Sequence, residues 1–183
     1  MATMATLLTV EDYMVLPEDG RHYQLIHGEL FMSPSPTRFH QHISLNLSFL
    51  ISSWIRGKGA GAVYAAPFDV HLDEHNVFQP DLVYVSPGRL SILTDAGING
   101  APDLVVEILS PSTRKLDLGP KKKVFAAHGV REFWAIDPNE RTVDVFDLKA
   151  DVEVPAQTFG DSDSIKRDVL AGLEIDLAEV FDY

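Results

Sequence analysis

Apolar residues crowd both faces of the stretch Ala101–Thr113, where Leu104, Val105, Val106, Ile108 and Leu109 predict a strand covered on two sides. Pro102 stands at its first position, and Ser110-Pro111-Ser112 ends it. The same two-sided pattern recurs in Leu82–Val85. Ahead of it, Ala62–Leu72 predicts a strand, Asp73–Asn76 a turn, and Val77–Val85 a strand interrupted by Pro80, with regular pairing from Asp81. Tyr23–Ile26 and Glu29–Met32 predict a hairpin around His27-Gly28. Glu132–Asp137 and Thr142–Leu148 predict strands joined by Pro138-Asn139, with Val152–Phe159 as one more. Helical spacing governs about Arg38 to Arg56, with the stripe Ile43, Leu47, Leu50, Ile51 and Trp54 and an end at Gly57. It returns in Leu118–His128, closed by Gly129. Thr9 with Asp12 predicts a capping box opening a short helix through Leu16, followed by a turn at Pro17–Gly20. Ser86–Gly100 reads as a loop or a short helix with loops, and Pro111–Asp117 as a polar connection. Leu170 to Phe181 reads as a closing segment with a short helix. No repeat or long linker divides the chain, so residues 1–183 are expected to form a single domain.

Against this pattern a few polar residues sit where apolar ones belong. Glu107 lies inside the two-sided strand, where a carboxylate is unfavourable unless charge meets it. Alternation puts Asp103, Val105, Glu107 and Leu109 on one side. Asp103 and Glu107 are then roughly 13 Å apart at about 3.3 Å per residue, too far to share one small ion. A partner for Glu107 must come from another segment. Asp81 is one candidate, because Pro80-Asp81 opens its strand as Pro102-Asp103 opens the other. Lys121 is a second, because it falls within the stripe Leu118, Lys121, Phe125 and His128, while Lys122 and Lys123 turn progressively away. Each residue has an ordinary alternative: an ion pair at the strand end for Glu107, a turn cap for Asp81, snorkelling to solvent for Lys121, a plain hairpin position for Glu29. Asp103 reads as a structural acid at strand entry, and His40 and His42 as cap or surface residues. Lys121-Lys122-Lys123 with Arg114-Lys115 fits phosphate contact and a solvated face equally well.

Two converging carboxylates repel, so one is protonated or a cation joins them. Magnesium suits such a pair, since it takes oxygen ligands, keeps several waters and often uses one or two protein carboxylates plus a phosphate. A metal there could activate water and neutralise charge on a phosphodiester, with a nearby lysine as a compact positive charge.

Composition narrows the classes. The chain has 183 residues, 45% of them hydrophobic, which is enough for a substantial core. It has no cysteine, which removes disulfides and thiolate chemistry. Met1–Val10 lacks a basic start and a long apolar core, and no apolar run approaches membrane-spanning length, so a cytoplasmic, soluble protein is expected. The net charge is −12, and residues 144–183 hold eleven acidic and three basic side chains. That balance argues against loose, sequence-independent nucleic-acid binding.

The motifs resemble a known group. Pro80-Asp81 followed by Glu107-Ile108-Leu109 is similar to the PD-(D/E)XK nuclease superfamily. From Tyr23 to Phe181 the chain resembles more closely the Uma-two family of restriction-type endonucleases, in YQLIHGEL, SPSP with His40-Gln41, QPDLVYV, APDLVVEILSPST, DLGPKKKVFAAHGVREFWAIDP and AGLEIDL. The resemblance implies a mixed α/β (α+β), restriction-endonuclease-like fold, with a central mixed β-sheet flanked by helices. It implies Asp81 and Glu107 as metal-binding acids, the carbonyl of Ile108 as a further ligand, Glu29 as an acid beside the site, and Mg²⁺ or Mn²⁺ as cofactor. Where the superfamily has a lysine two residues after the glutamate, this chain has Leu109. In the family a lysine from the next helix takes that role, and Lys121 matches it. The implied activity is metal-dependent hydrolysis of DNA phosphodiesters without an organic cofactor, with a homodimer expected because a duplex has two strands. The alternative is a nuclease-like fold used as a non-catalytic nucleic-acid or protein interaction module. A hydrolase of small phosphate esters ranks behind both, for want of a phosphate-cradling glycine loop.

Overall fold

The computed structural model describes residues 7–17 and 19–182. Met1–Thr6, most of the segment read for a leader, lie outside the described residues, as does Glu18 of the Pro17–Gly20 turn.

Helix α1 (Val10–Met14) begins with the expected capping box, in which Thr9 accepts from the Asp12 N–H and Asp12 from the Thr9 N–H. Strands β1 (His22–Ile26) and β2 (Glu29–Ser33) form the predicted hairpin. Its turn residues His27 and Gly28 have φ of 51° and 75°, the left-handed pair a two-residue turn needs. Helix α2 (Arg38–Lys58) starts at Thr37, whose side chain accepts from the His40 N–H. It ends at Gly59 with φ 61°, so Gly57 lies inside the helix rather than at its end.

The predicted strand Ala62–Leu72 is in fact two, β3 (Ala62–Ala65) and β4 (Val70–Asp73), which belong to different sheets. Pro67, with no N–H for a ladder, falls at the break. Val77–Val85 divides likewise into β5 (Asn76–Phe78) and β6 (Leu82–Val85). Gln79-Pro80-Asp81 carries the chain from one sheet to the other, and Asp81 precedes the strand rather than opening it. Ser86–Gly100 holds a 3-10 helix, Pro87–Ile92, and a small hairpin of β7 (Leu93–Thr94) and β8 (Gly97–Asn99).

Strand β9 (Leu104–Ile108) is shorter than the run Ala101–Thr113 and lies inside its sheet. The connection Pro111–Asp117 is partly helical: one turn, α3 (Arg114–Leu116), runs into a π turn, Asp117–Lys121, and then into α4 (Lys122–Ala127). Pro120 removes the N–H that a regular helix would use here, and the Lys122 N–H reaches back five residues to the Asp117 carbonyl. Strands β10 (Glu132–Asp137) and β11 (Thr142–Asp147) follow as expected. β12 (Gln157–Gly160) is shorter than Val152–Phe159. The closing segment adds a hairpin, β13 (Ser164–Lys166) with β14 (Glu174–Asp176), before α5 (Leu177–Val180).

One six-stranded sheet runs β12-β11-β10-β9-β6-β3, with β9 parallel to β10 and antiparallel to β6. A second runs β2-β1-β5-β4-β8-β7, with β4 parallel to β8. The architecture is therefore mixed α/β, with mixed sheets flanked by helices. Leu104, Val106 and Ile108 face α2, where Ile43, Leu47 and Ile51 are buried and Leu50 and Trp54 pack beside them. Val105 and Leu109 face the other way, toward Val124 and Phe125 of α4 and Phe78 of the second sheet. Glu107, by alternation, belongs to this second face. Among the described residues no helix is long and apolar enough to cross a membrane.

Candidate active site

The β6–β9 register sets Leu82 opposite Val106 and Val83 opposite Val105. Asp81 lies just before the ladder's end, where continuing the register by one step would set it opposite Glu107, and the two carboxylates interact electrostatically. The Asp81 carboxylate closes this junction: Oδ2 accepts from the Ile108 N–H at 2.7 Å. Its other oxygen, Oδ1, lies 3.1 Å from Nε2 of His40. The crossing segment is held from behind, since the Gln79 N–H donates to Gln24 and the Gln79 side chain to Asp69.

Lys121 reaches the same place from the π turn. It is only 1% exposed, and Glu107 4%. Its ammonium lies 2.6 Å from Glu107 Oε1 and 3.1 Å from Asp117 Oδ1. Despite that close approach Oε1 receives no hydrogen bond of regular geometry, so it is charge-paired while remaining an unsatisfied buried acceptor. Three carboxylates, those of Asp81, Glu107 and Asp117, thus surround one lysine. Burial pushes the Glu107 carboxyl well above its usual range; Lys121 opposes this, and Asp117 and Asp81 add to it. Burial alone would lower Lys121, but Glu107 and Asp117 outweigh it and hold the ammonium above its ordinary value. These neighbours favour the ammonium form of Lys121, beside a glutamate that burial pushes toward its neutral form.

The structure brings Asp81, Glu107, Ile108 and Lys121 together and leaves other sequence candidates apart. Glu29 is exposed at the start of β2, opposite Ile26, with no ion pair or side-chain hydrogen bond to the cluster. Asp103 accepts from the Ser86 N–H and faces Arg89 and Arg131 at strand entry. The basic run is largely engaged within the chain. Arg114 pairs with Asp137, Lys123 with Glu153, and Lys122 is buried with its ammonium 3.7 Å above the Phe146 ring rather than turned away. Sequence reasoning misses two residues of the cluster. Asp117 carries a readable signal, its spacing of four from Lys121. His40 stands in the family motif but reads in the sequence as a cap or surface residue, because Asp81 is 41 positions away in the chain and is met only in the fold.

Among the described residues no three His, Asp or Glu side chains are grouped to hold a metal ion. The donors near one another are the carboxylates of Asp81 and Glu107, a pair magnesium accepts because it retains waters. The Glu107 Oε1, ion-paired with Lys121 without a hydrogen bond of regular geometry, and the Asp81 carboxylate are oxygen donors of the kind a divalent cation takes. Two surface depressions lie elsewhere, one bordered by Val10, His71 and Asn99 and the other by Arg141, Asp161 and Glu179.

A family model, Uma2, described as "Putative restriction endonuclease", matches residues 10–178. Among solved structures the chain is similar to a putative nuclease belonging to DUF820 from Anabaena variabilis ATCC 29413. That likeness has a TM-score of 0.76 at 22% sequence identity and covers 95% of this chain and 97% of the other. No curated protein matches the chain.

Proposed function

Since the chain belongs to the Uma2 family, we propose that it is a Mg²⁺-dependent endonuclease hydrolysing DNA phosphodiesters at Asp81, Glu107 and Lys121. One observation carries the reading: a glutamate buried in a central strand, its carboxylate 2.6 Å from a buried ammonium and in electrostatic contact with the acid Asp81.

Asp81, Glu107 and the carbonyl of Ile108 would hold the Mg²⁺, or Mn²⁺ in its place. A divalent cation bound there supplies charge neutralisation and a more acidic water. The chain's own residues do the rest. Lys121 keeps its charge and stabilises the anionic phosphate and the attacking oxygen. Asp117 anchors that ammonium independently of Glu107. The dry surroundings strengthen each of these interactions. Glu29 enters by its place in the family pattern alone. Cutting both strands of a duplex takes two such sites, so the proposed working unit is a homodimer.

The test is cleavage of supercoiled plasmid and of a random-sequence duplex library with Mg²⁺. Wild type should nick and then linearise, and Glu107→Ala and Asp81→Ala should each lose at least about 100-fold. No cleavage of either substrate, or cleavage unchanged in Glu107→Ala, overturns the proposal. A second reading, a nuclease-like interaction module without chemistry, draws on the net charge of −12 and on a basic run engaged within the chain by Asp137, Phe146 and Glu153. Calorimetric titration separates the two, since a module without chemistry shows no Mn²⁺ site dependent on Asp81 and Glu107.

A further inference from the structure

We infer that His40 is a positioning residue of this site, holding the Asp81 carboxylate in place for the cation; the inference rests on the nuclease reading above. The two oxygens of Asp81 are held from separate sources. The central strand takes Oδ2 through the Ile108 N–H at 2.7 Å, and helix α2 presents the His40 ring to Oδ1 at 3.1 Å. An ionised carboxylate offers only lone pairs, so the ring nitrogen facing it carries a proton.

The rest of the ring excludes other roles. Nδ1 is buried and, among the described residues, has no hydrogen-bond partner. Nε2, facing Asp81, is thus the ring nitrogen with a polar contact among the described residues. With Nε2 turned to Asp81 and Nδ1 enclosed, the imidazole supports a ligand rather than serving as one. Its mount is rigid. The His40 N–H is tied to the Thr37 cap, and Ile43, Leu47 and Ile51 fix the following turns of α2 in the core. A partner that orients a metal-binding carboxylate acts in this way, and its loss typically lowers metal affinity about 10- to 100-fold.

The test is calorimetric titration of the full chain with Mn²⁺, paired with urea unfolding of each variant. His40→Phe keeps a ring and removes the N–H; His40→Gln keeps a donor. We expect wild type to bind Mn²⁺, Asp81→Ala to lose it, His40→Phe to bind about 10- to 100-fold more weakly, and His40→Gln to recover most of the difference. Adding His40→Phe to Asp81→Ala should weaken binding no further than Asp81→Ala does by itself. A merely structural role would lower the urea midpoint and leave affinity untouched, with no recovery by Gln. Affinity unchanged in His40→Phe, with Asp81→Ala still inactive in binding, overturns the inference and leaves the nuclease reading standing. A wild type that binds no Mn²⁺ overturns both. Should His40→Phe not fold, the His40→Gln affinity and the ring ¹⁵N spectrum decide: a ring protonated at Nε2 in wild type and altered in Asp81→Asn is required.

Discussion

Lys121 carries the strongest consequence at the scale of one residue. Its side chain is long, charged and nearly fully enclosed, with Glu107 and Asp117 as its partners. Removing one member of a buried pair leaves the others uncompensated, which typically destabilises by about 3–5 kcal/mol. Lys121→Met should therefore lower unfolding stability by an amount in that range, read from urea curves. The double variant Lys121→Met/Glu107→Gln should recover a large part of it, because the amide leaves no buried charge on the strand. If the single and double variants unfold alike, the pair is not the source of the effect. The inward direction of Lys121 is legible in the sequence, since a lysine flanked on its stripe by Leu118 and Phe125 must share their face of the helix. The same wheel turns Lys122 away from the core, whereas the structure buries it. The wheel assumes a regular helix, and the π turn that ends at Lys121 changes the register just before Lys122.

Two elements position the site, and each supports its own test. Helix α2 is held by its apolar stripe, so Leu47→Ala should remove about 2–5 kcal/mol of stability, measured by urea or thermal unfolding. A smaller loss would mean that α2 is not fixed by its packing. The turn that carries Lys121 is tied to the end of β10 by Arg114, which pairs with Asp137. Burial works to raise the Asp137 carboxyl, but Arg114 and the N–H groups of Glu140 and Asn139 prevail and hold it below its ordinary value. A depressed carboxyl stabilises above the unfolded pKa, and that contribution is lost as pH falls through the lower folded value. Wild type should accordingly lose stability more steeply than Asp137→Asn as pH falls below about 4, seen in urea midpoints. Parallel slopes would show that the Arg114 tether carries no proton-linked stability. Elements are legible from sequence where the period is long and clean, as in α2 and the β10–β11 hairpin. The pattern misleads at Ala62–Leu72, where one apolar run serves two sheets; at Val77–Val85 Pro80 marks the interruption, and only pairing reveals that the two pieces join different sheets.

For the molecule as a whole, net charge governs encounter with DNA. A chain of net charge −12 repels a polyanion at long range, whatever its site does at contact. Its association with a labelled duplex should therefore quicken as salt rises from about 0.02 to 0.2 M, the reverse of a basic DNA binder. Stopped-flow anisotropy reads the rate, and a rate that falls with salt would show that a local basic surface dominates the approach. Packing makes a comparable demand at Gly97, whose φ is +147° and where a Cβ would collide with the Asp69 carbonyl oxygen. Gly97→Ala should lower the thermal midpoint well beyond the few tenths of a kcal/mol usual for surface changes.

By itself the sequence determined the two-sided strand with Glu107 inside it, the amphipathic α2, the β1–β2 and β10–β11 hairpins, and the inward aim of Lys121. Each follows from a period or a turn preference read over a few neighbouring residues. The division into two sheets, the strand register that brings Asp81 beside Glu107, and the approach of His40 were decided by the tertiary structure. Local pattern fixes which way a side chain points, but it holds no information on strand register or on how far one helix turn stands from another segment's carboxylate. Those distances arise only when separate apolar faces are buried together, and the chemistry of this cluster depends on them.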